Sequence, residues 1–135
     1  MTVIVTDAGF APDDLDHRFS PLAEAATDAP AIELQPTDRA EDLADSLPHL
    51  LAVRILFPAF SDGRGFTLAR RLRAMGYTGR LRATGHVLAD QYAMARRLGF
   101  DEVEIGDDLA ARQPADQWCF RADWGNHFYQ GRLRA

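Results

Sequence analysis

The run Leu50-Leu51-Ala52-Val53-Arg54-Ile55-Leu56-Phe57 (LLAVRILF, residues 50–57) is the most apolar stretch of the chain and decides how the rest is read. A short, nearly unbroken aliphatic run of this kind is the pattern of a central strand buried in a sheet. Arg54 interrupts it and needs a partner. Upstream, Ala31 to Leu34 reads as a short strand, and Asp38 followed by Glu41 looks like a capping box opening a helix that runs through Leu47 and is closed by Pro48. Downstream, the loop Ser61-Asp62-Gly63-Arg64-Gly65 leads into FTLARRLRAM, where Leu68, Ala69, Leu72 and Met75 fall at helical spacing and Arg70, Arg71 and Arg73 do not, so one face packs and the other is cationic. Arg80 to Thr84 is the next strand, Gly85 turns the chain into a helix from about Val87 to Leu98 that Gly99 ends, and Asp101 to Ile105 is a last strand before Gly106-Asp107-Asp108.

The order β, α, β, α, β, α, β with short connections predicts parallel strands joined by right-handed helical crossovers. The expected fold is one α/β domain with a mainly parallel sheet of four to five strands, either open and doubly wound or like part of a barrel. Val53, Ile55, Phe57, Leu68, Leu72, Leu81, Val87, Leu98, Val103 and Ile105 are expected in its core. Residues 1–30 carry Gly9, Pro12, Pro21, Pro30 and several aspartates after Val3-Ile4-Val5, so they read as an irregular arm with one helical turn near Pro21 to Ala26. Residues 31–108 form the βαβ core. Residues 109–135 form a tail with both tryptophans, Phe120, Phe128 and Tyr129, too aromatic for a free linker and expected to pack on the sheet or on another copy of the chain.

Composition narrows the chemistry. A 135-residue chain with 47% apolar residues can bury roughly two-thirds of its unfolded surface without staples. The single cysteine, Cys119, permits no intrachain disulfide, CxxC pair or all-Cys iron–sulfur site. All 15 basic residues are arginine, which excludes Schiff-base, P-loop and kinase-type lysines. No apolar run approaches the roughly 20 residues of a membrane span and no signal-like start is present, so a cytoplasmic location is expected by default. His17, His49 and His127 show no ligand spacing, so no metal site is expected, and no cofactor is evident.

In a parallel sheet, ligands gather at the carboxyl ends of the strands. Three loops qualify: residues 57–65, then Gly85-His86, then Gly106-Asp107-Asp108. In the first, backbone N–H groups of Gly63, Arg64, Gly65 and Phe66 at a helix start can approach an oxyanion while Arg64 grips it, with Arg82 or His86 facing it across the strand ends. Asp62 would cap the helix or hold Arg64. The competing reading is a tight turn with a surface Asp62–Arg64 pair. His86 precedes Asp90 by one helical turn, so Asp62, His86 and Asp90 are the candidate catalytic side chains. Charge is uneven: Ser61 to Phe100 holds eight arginines against Asp62 and Asp90, a net +6, leaving −11 elsewhere. One surface, with Arg70, Arg71 and Arg73 at its centre, is therefore expected to meet an acidic partner or anion, while the acidic whole does not suit nucleic acid.

Phe57 to Asp101 resembles a bacterial family known as domain of unknown function 934. The residues that carry the resemblance are Phe57-Pro58, Phe60, Asp62-Gly63-Arg64-Gly65, Ala69-Arg70, Leu72-Arg73, Gly79, Leu81-Arg82-Ala83, Gly85, Val87-Leu88, Asp90-Gln91 and Arg97 to Asp101 apart from Leu98. Phe66 stands where a tyrosine is usual, Arg80 where an acid is usual and His86 where Asp or Asn is usual. The resemblance implies an association with sulfite reduction, since members often carry an oxidoreductase label drawn from neighbouring genes. With no cysteines for a cluster and no GxGxxG fingerprint, the expected function is that of an accessory protein of assimilatory sulfite reduction. It would dock sulfite reductase or another acidic redox protein through its arginines. The alternative is a small oxyanion- or phosphate-binding enzyme with its site at the Asp62 to Gly65 loop.

Overall fold

A computed structural model describes residues 2–14, 19–24 and 29–119. The strands are β1 (Thr2–Thr6), β2 (Gly9–Ala11), β3 (Ser20–Pro21), β4 (Ala31–Leu34), β5 (Ala52–Phe57), β6 (Arg80–Gly85) and β7 (Glu102–Gly106). The α-helices are α1 (Arg64–Ala74), α2 (Tyr92–Arg97), α3 (Asp107–Arg112) and α4 (Ala115–Cys119). All seven strands form one sheet in the order β2-β1-β7-β6-β5-β4-β3. From β3 to β7 every pairing is parallel, whereas β1 runs antiparallel to both β7 and β2.

The mixed α/β class and the parallel core agree with the sequence, and the strand count exceeds the expected four to five. The excess comes from residues 2–11 and 20–21, which are regular where an irregular arm was expected: Val3-Ile4-Val5 adds an antiparallel strand beside β7, the turn after Thr6 makes a hairpin, and Ser20–Pro21 extends the far edge. The expected helix after Asp38 is also absent. The Asp38 carboxylate accepts the N–H of Gln35 at 2.7 Å, pointing back along the chain and not into a following helix. Ala40–Leu43 and Leu47–His49 are single 3-10 turns. Leu22–Glu24 forms one such turn too, while Ala25 and Ala26 lie outside the described residues.

Successive strands β4, β5, β6 and β7 are also neighbours in the sheet, and parallel connections of the one favoured hand all fall on the same side, with 3-10 turns in the first and α-helices in the others. Phe66, Leu68 and Leu72 of α1, Tyr92 and Ala95 of α2, Leu109 of α3 and Trp118 of α4 share one core with Val53, Ile55, Phe57, Leu81, Ala83, Val103 and Ile105. Helices on both faces are therefore not formed among the described residues. Nine of the ten expected core residues are buried, while Leu98 is half-buried against the core. Trp118 packs edge-on to Tyr92 at 6.0 Å, which seats the start of the aromatic tail on the helix side. Phe120, Trp124, Phe128 and Tyr129, and with them any copy-to-copy contact through the tail, lie outside the described residues.

The intervening strand residues point to the other face, because side chains alternate along a strand. There Glu33, Arg54, Arg82 and Glu102 stand side by side across four strands. Arg54 finds its partners here: Nε donates to Glu33 at 2.8 Å and Nη1 to Glu104 at 3.2 Å, with Phe19 stacked on the guanidinium at 4.3 Å.

Candidate functional site

Arg82 is the hub of this charged face and is 0% exposed. Its Nε donates to Glu102 at 2.5 Å, its Nη1 to Glu104 at 2.8 Å, and its Nη1 and Nη2 to the two oxygens of Asp13 at 3.0 Å each. Arg80 extends the lattice to Glu102 at 2.6 Å and Asp14 at 2.5 Å. Burial works against charge on Arg82, but Asp13, Glu102 and Glu104 outweigh it and raise its pKa, so the guanidinium stays ionised. Arg82 is thus not an anion ligand facing Arg64 across the strand ends. It sits mid-strand on the face away from α1, with its hydrogen-bonding edges occupied by carboxylates.

The Asp62 to Phe66 loop is built as a turn and helix start. One Asp62 oxygen accepts the Arg64 backbone N–H at 3.1 Å and Arg64 Nε at 3.0 Å, and the other accepts Nη2 at 2.7 Å. These bonds lower the Asp62 pKa and raise that of Arg64. Asp62, one residue before the N-cap Gly63, therefore satisfies the first N–H of α1 and holds the guanidinium at once. The Phe66 N–H donates to the Gly63 carbonyl at 3.1 Å, so two of the four N–H groups expected to cradle an anion are already used. Phe66 itself is a core ring, 4.9 Å from Phe57. Gly65 is buried under the Phe57 ring, where an added Cβ would approach within 2.6 Å, so its role is close packing.

Of the three cationic-face arginines, Arg70 and Arg71 are exposed and Arg73 is not part of that face. Arg73 donates to the carbonyls of Gly99, Tyr77 and Gly79 at 2.7 to 3.0 Å and to Asp101 at 3.0 Å, tying the exit of α1 to the start of β7. Arg71 pairs with Glu41 at 2.7 Å. Among the described residues the Arg70 side chain has no hydrogen bond or ion pair. Arg64, Arg71, Arg39 and Thr67 line a shallow cleft of about 230 Å³ against Pro36 and Glu41.

A second cleft, of about 280 Å³, opens at the carboxyl ends of β6 and β7, where the topology anticipates a site. Phe60, Gly85, His86, Gly106, Asp108, Leu109 and Arg112 line it. Gly85 has φ +103°, and a Cβ there would come within 2.6 Å of the Phe57 carbonyl, so only glycine lets the chain turn so tightly beneath His86. His86 is exposed and lies edge-on to Phe60 at 4.9 Å. It does not share a helical turn with Asp90, because Leu88 is extended (ψ 156°) and the helical stretch starts only at Ala89. The helical i to i+4 spacing expected to bring His86 to Asp90 is therefore not formed. Phe60, from the first candidate loop, reaches this cleft and not the Arg64 end of that loop, and Arg112 is the lining residue that sequence reasoning missed. The third strand-end loop lines this cleft with Gly106 and Asp108, but nothing local marks Arg112 at the end of α3 as its neighbour.

Among the described residues no group of three or more His, Cys, Asp or Glu side chains could hold a metal ion, and no helix is long and apolar enough to cross a membrane. Cys119 is free and exposed.

Fold and clefts together define, among the described residues, an α/β domain with its helices on one face of a mostly parallel sheet, a charged opposite face and shallow clefts beside α1 and at the ends of β6 and β7. The family described as bacterial protein of unknown function (DUF934) matches residues 31–135, and the chain belongs to it. No curated protein and no solved structure matches the chain.

Proposed function

We propose that this chain is an accessory binding protein that docks an acidic protein partner through the outward face of α1. One observation carries this reading: the arginines divide into two sets. Arg54, Arg73, Arg80 and Arg82 are themselves buried or half-buried and bound to carboxylates and carbonyls, while Arg64 and Arg71 stay exposed even with their partners Asp62 and Glu41, beside Arg70, whose exposed side chain has no partner among the described residues. Charge concentrated on one exposed face of an acidic chain steers association with an oppositely charged surface and sets its orientation. The family resemblance implies that the partner belongs to assimilatory sulfite reduction, so sulfite reductase is the partner to test. The oxyanion-enzyme alternative at the Asp62 to Gly65 loop has less support, because any anion there competes with the Asp62 carboxylate for Arg64.

The test is association of the purified chain with sulfite reductase at low and high salt. The expected complex weakens as salt is raised and is lost in the Arg70→Glu, Arg71→Glu double variant. A complex indifferent to both salt and charge reversal, or no complex at all, overturns the reading.

A further inference from the structure

We infer that the cleft between the ends of β6 and β7 binds a small organic oxyanion, a phosphate or carboxylate on a short carbon frame, held by Arg112 and His86. Three features converge there. Arg112 is exposed and, among the described residues, has no carboxylate or carbonyl partner, although Asp108 lies one helical turn before it on α3. An arginine offers a planar pair of donors matched to carboxylate or phosphate oxygens. His86, held at the rim by the Gly85 turn and by its backbone N–H bond to the Phe57 carbonyl at 2.9 Å, adds a further donor.

Phe60 and Leu109 supply an apolar wall, and the volume of about 280 Å³ is near the lower end for small-molecule sites, more than a bare oxyanion fills. That wall is why the ligand carries a carbon frame. Asp108, also on the cleft, opposes an anion, which gives the site a signed signature: neutralising it strengthens binding. The site is separate from the α1 face and does not rest on the docking proposal.

The experiment is calorimetric titration of the full chain with phenyl phosphate, with inorganic phosphate and, as a cationic counterpart, with benzylamine. Phenyl phosphate is expected to bind, and more tightly than inorganic phosphate. Arg112→Gln is expected to weaken it by about tenfold or more, the scale of a lost hydrogen bond to a charged group. His86→Gln should weaken it less, Asp108→Asn should tighten it, and the Arg70→Glu, Arg71→Glu variant should bind as the parent does. All five substituted positions are exposed, and an unchanged circular dichroism spectrum confirms the fold of each variant. Absence of binding by either anion, unchanged affinity in Arg112→Gln, weaker binding in Asp108→Asn, or tighter binding of benzylamine overturns the inference. Equal affinity for inorganic and phenyl phosphate overturns the carbon frame.

Discussion

The two faces of the sheet are built from the same strands and solve opposite problems. On the helix side Val53, Ile55, Phe57, Leu81, Ala83, Val103 and Ile105 meet the apolar stripes of the helices, and the hydrophobic effect holds them. On the other side Glu33, Arg54, Arg80, Arg82, Glu102 and Glu104 form a lattice with three charges of each sign, and Asp13 and Asp14 close over it. Apolar contacts are interchangeable in kind, so loss of one leaves a cavity. Charges buried together are not, because loss of one strands the others in a medium that solvates them poorly.

The strongest way to break this comparison is Arg82→Ala. It leaves Glu102 and Glu104, 4% and 8% exposed, without their shared cation, and should cost about 3 to 5 kcal/mol in urea unfolding. A loss below that of a surface charge would mean that the lattice is solvated and not buried. On the opposite face Ile55→Ala should cost about 2 to 5 kcal/mol through the cavity it opens. A change near zero would remove β5 from the core.

Alkaline pH separates the faces without mutation. Burial pushes the Tyr77 hydroxyl up to about 12 and raises Tyr92 as well, the latter helped by its bond to Asp7. A folded-state pKa above the unfolded value of 10 contributes stability that is complete below pH 10 and lost as pH rises through the folded value. The urea midpoint should therefore fall between pH 10 and about 12, while the arginine lattice, whose Arg80 and Arg82 pKa values are raised, stays charged. Replacing both tyrosines with phenylalanine should flatten that decline. The smallest effect belongs outside both faces: Arg70→Glu should change stability by no more than about 0.5 kcal/mol, so any loss of docking it causes is not a loss of fold.

Much of the fold is legible along the chain because it is written in local periodicity. β4 to β7 and α1 fall within a residue or two of their expected bounds, since each carries its own alternation or helical stripe. The hairpin of residues 2–11 was hidden by Gly9 and the proline-bearing stretch that follows it, because β1 is stabilised by its pairing with β7 and β2 and not by its own sequence. The same limit applied to the candidate site. Arg64 and Asp62 were recognisable as a pair two residues apart, whereas Asp13 against Arg82 and Arg112 beside His86 join residues remote in sequence.

The sequence alone determined an α/β chain with a parallel core, an amphipathic arginine-bearing α1 and chemistry without lysine or paired cysteines, because composition, spacing and short-range sterics are properties of the chain itself. Only the tertiary structure decided what each arginine does. Alternation along β6 says that Arg82 and Leu81 face opposite ways, but not which face receives the helices. That choice is made by the handedness of three successive crossovers, which turned Arg82 inward to carboxylates and left Arg70 and Arg112 in solvent.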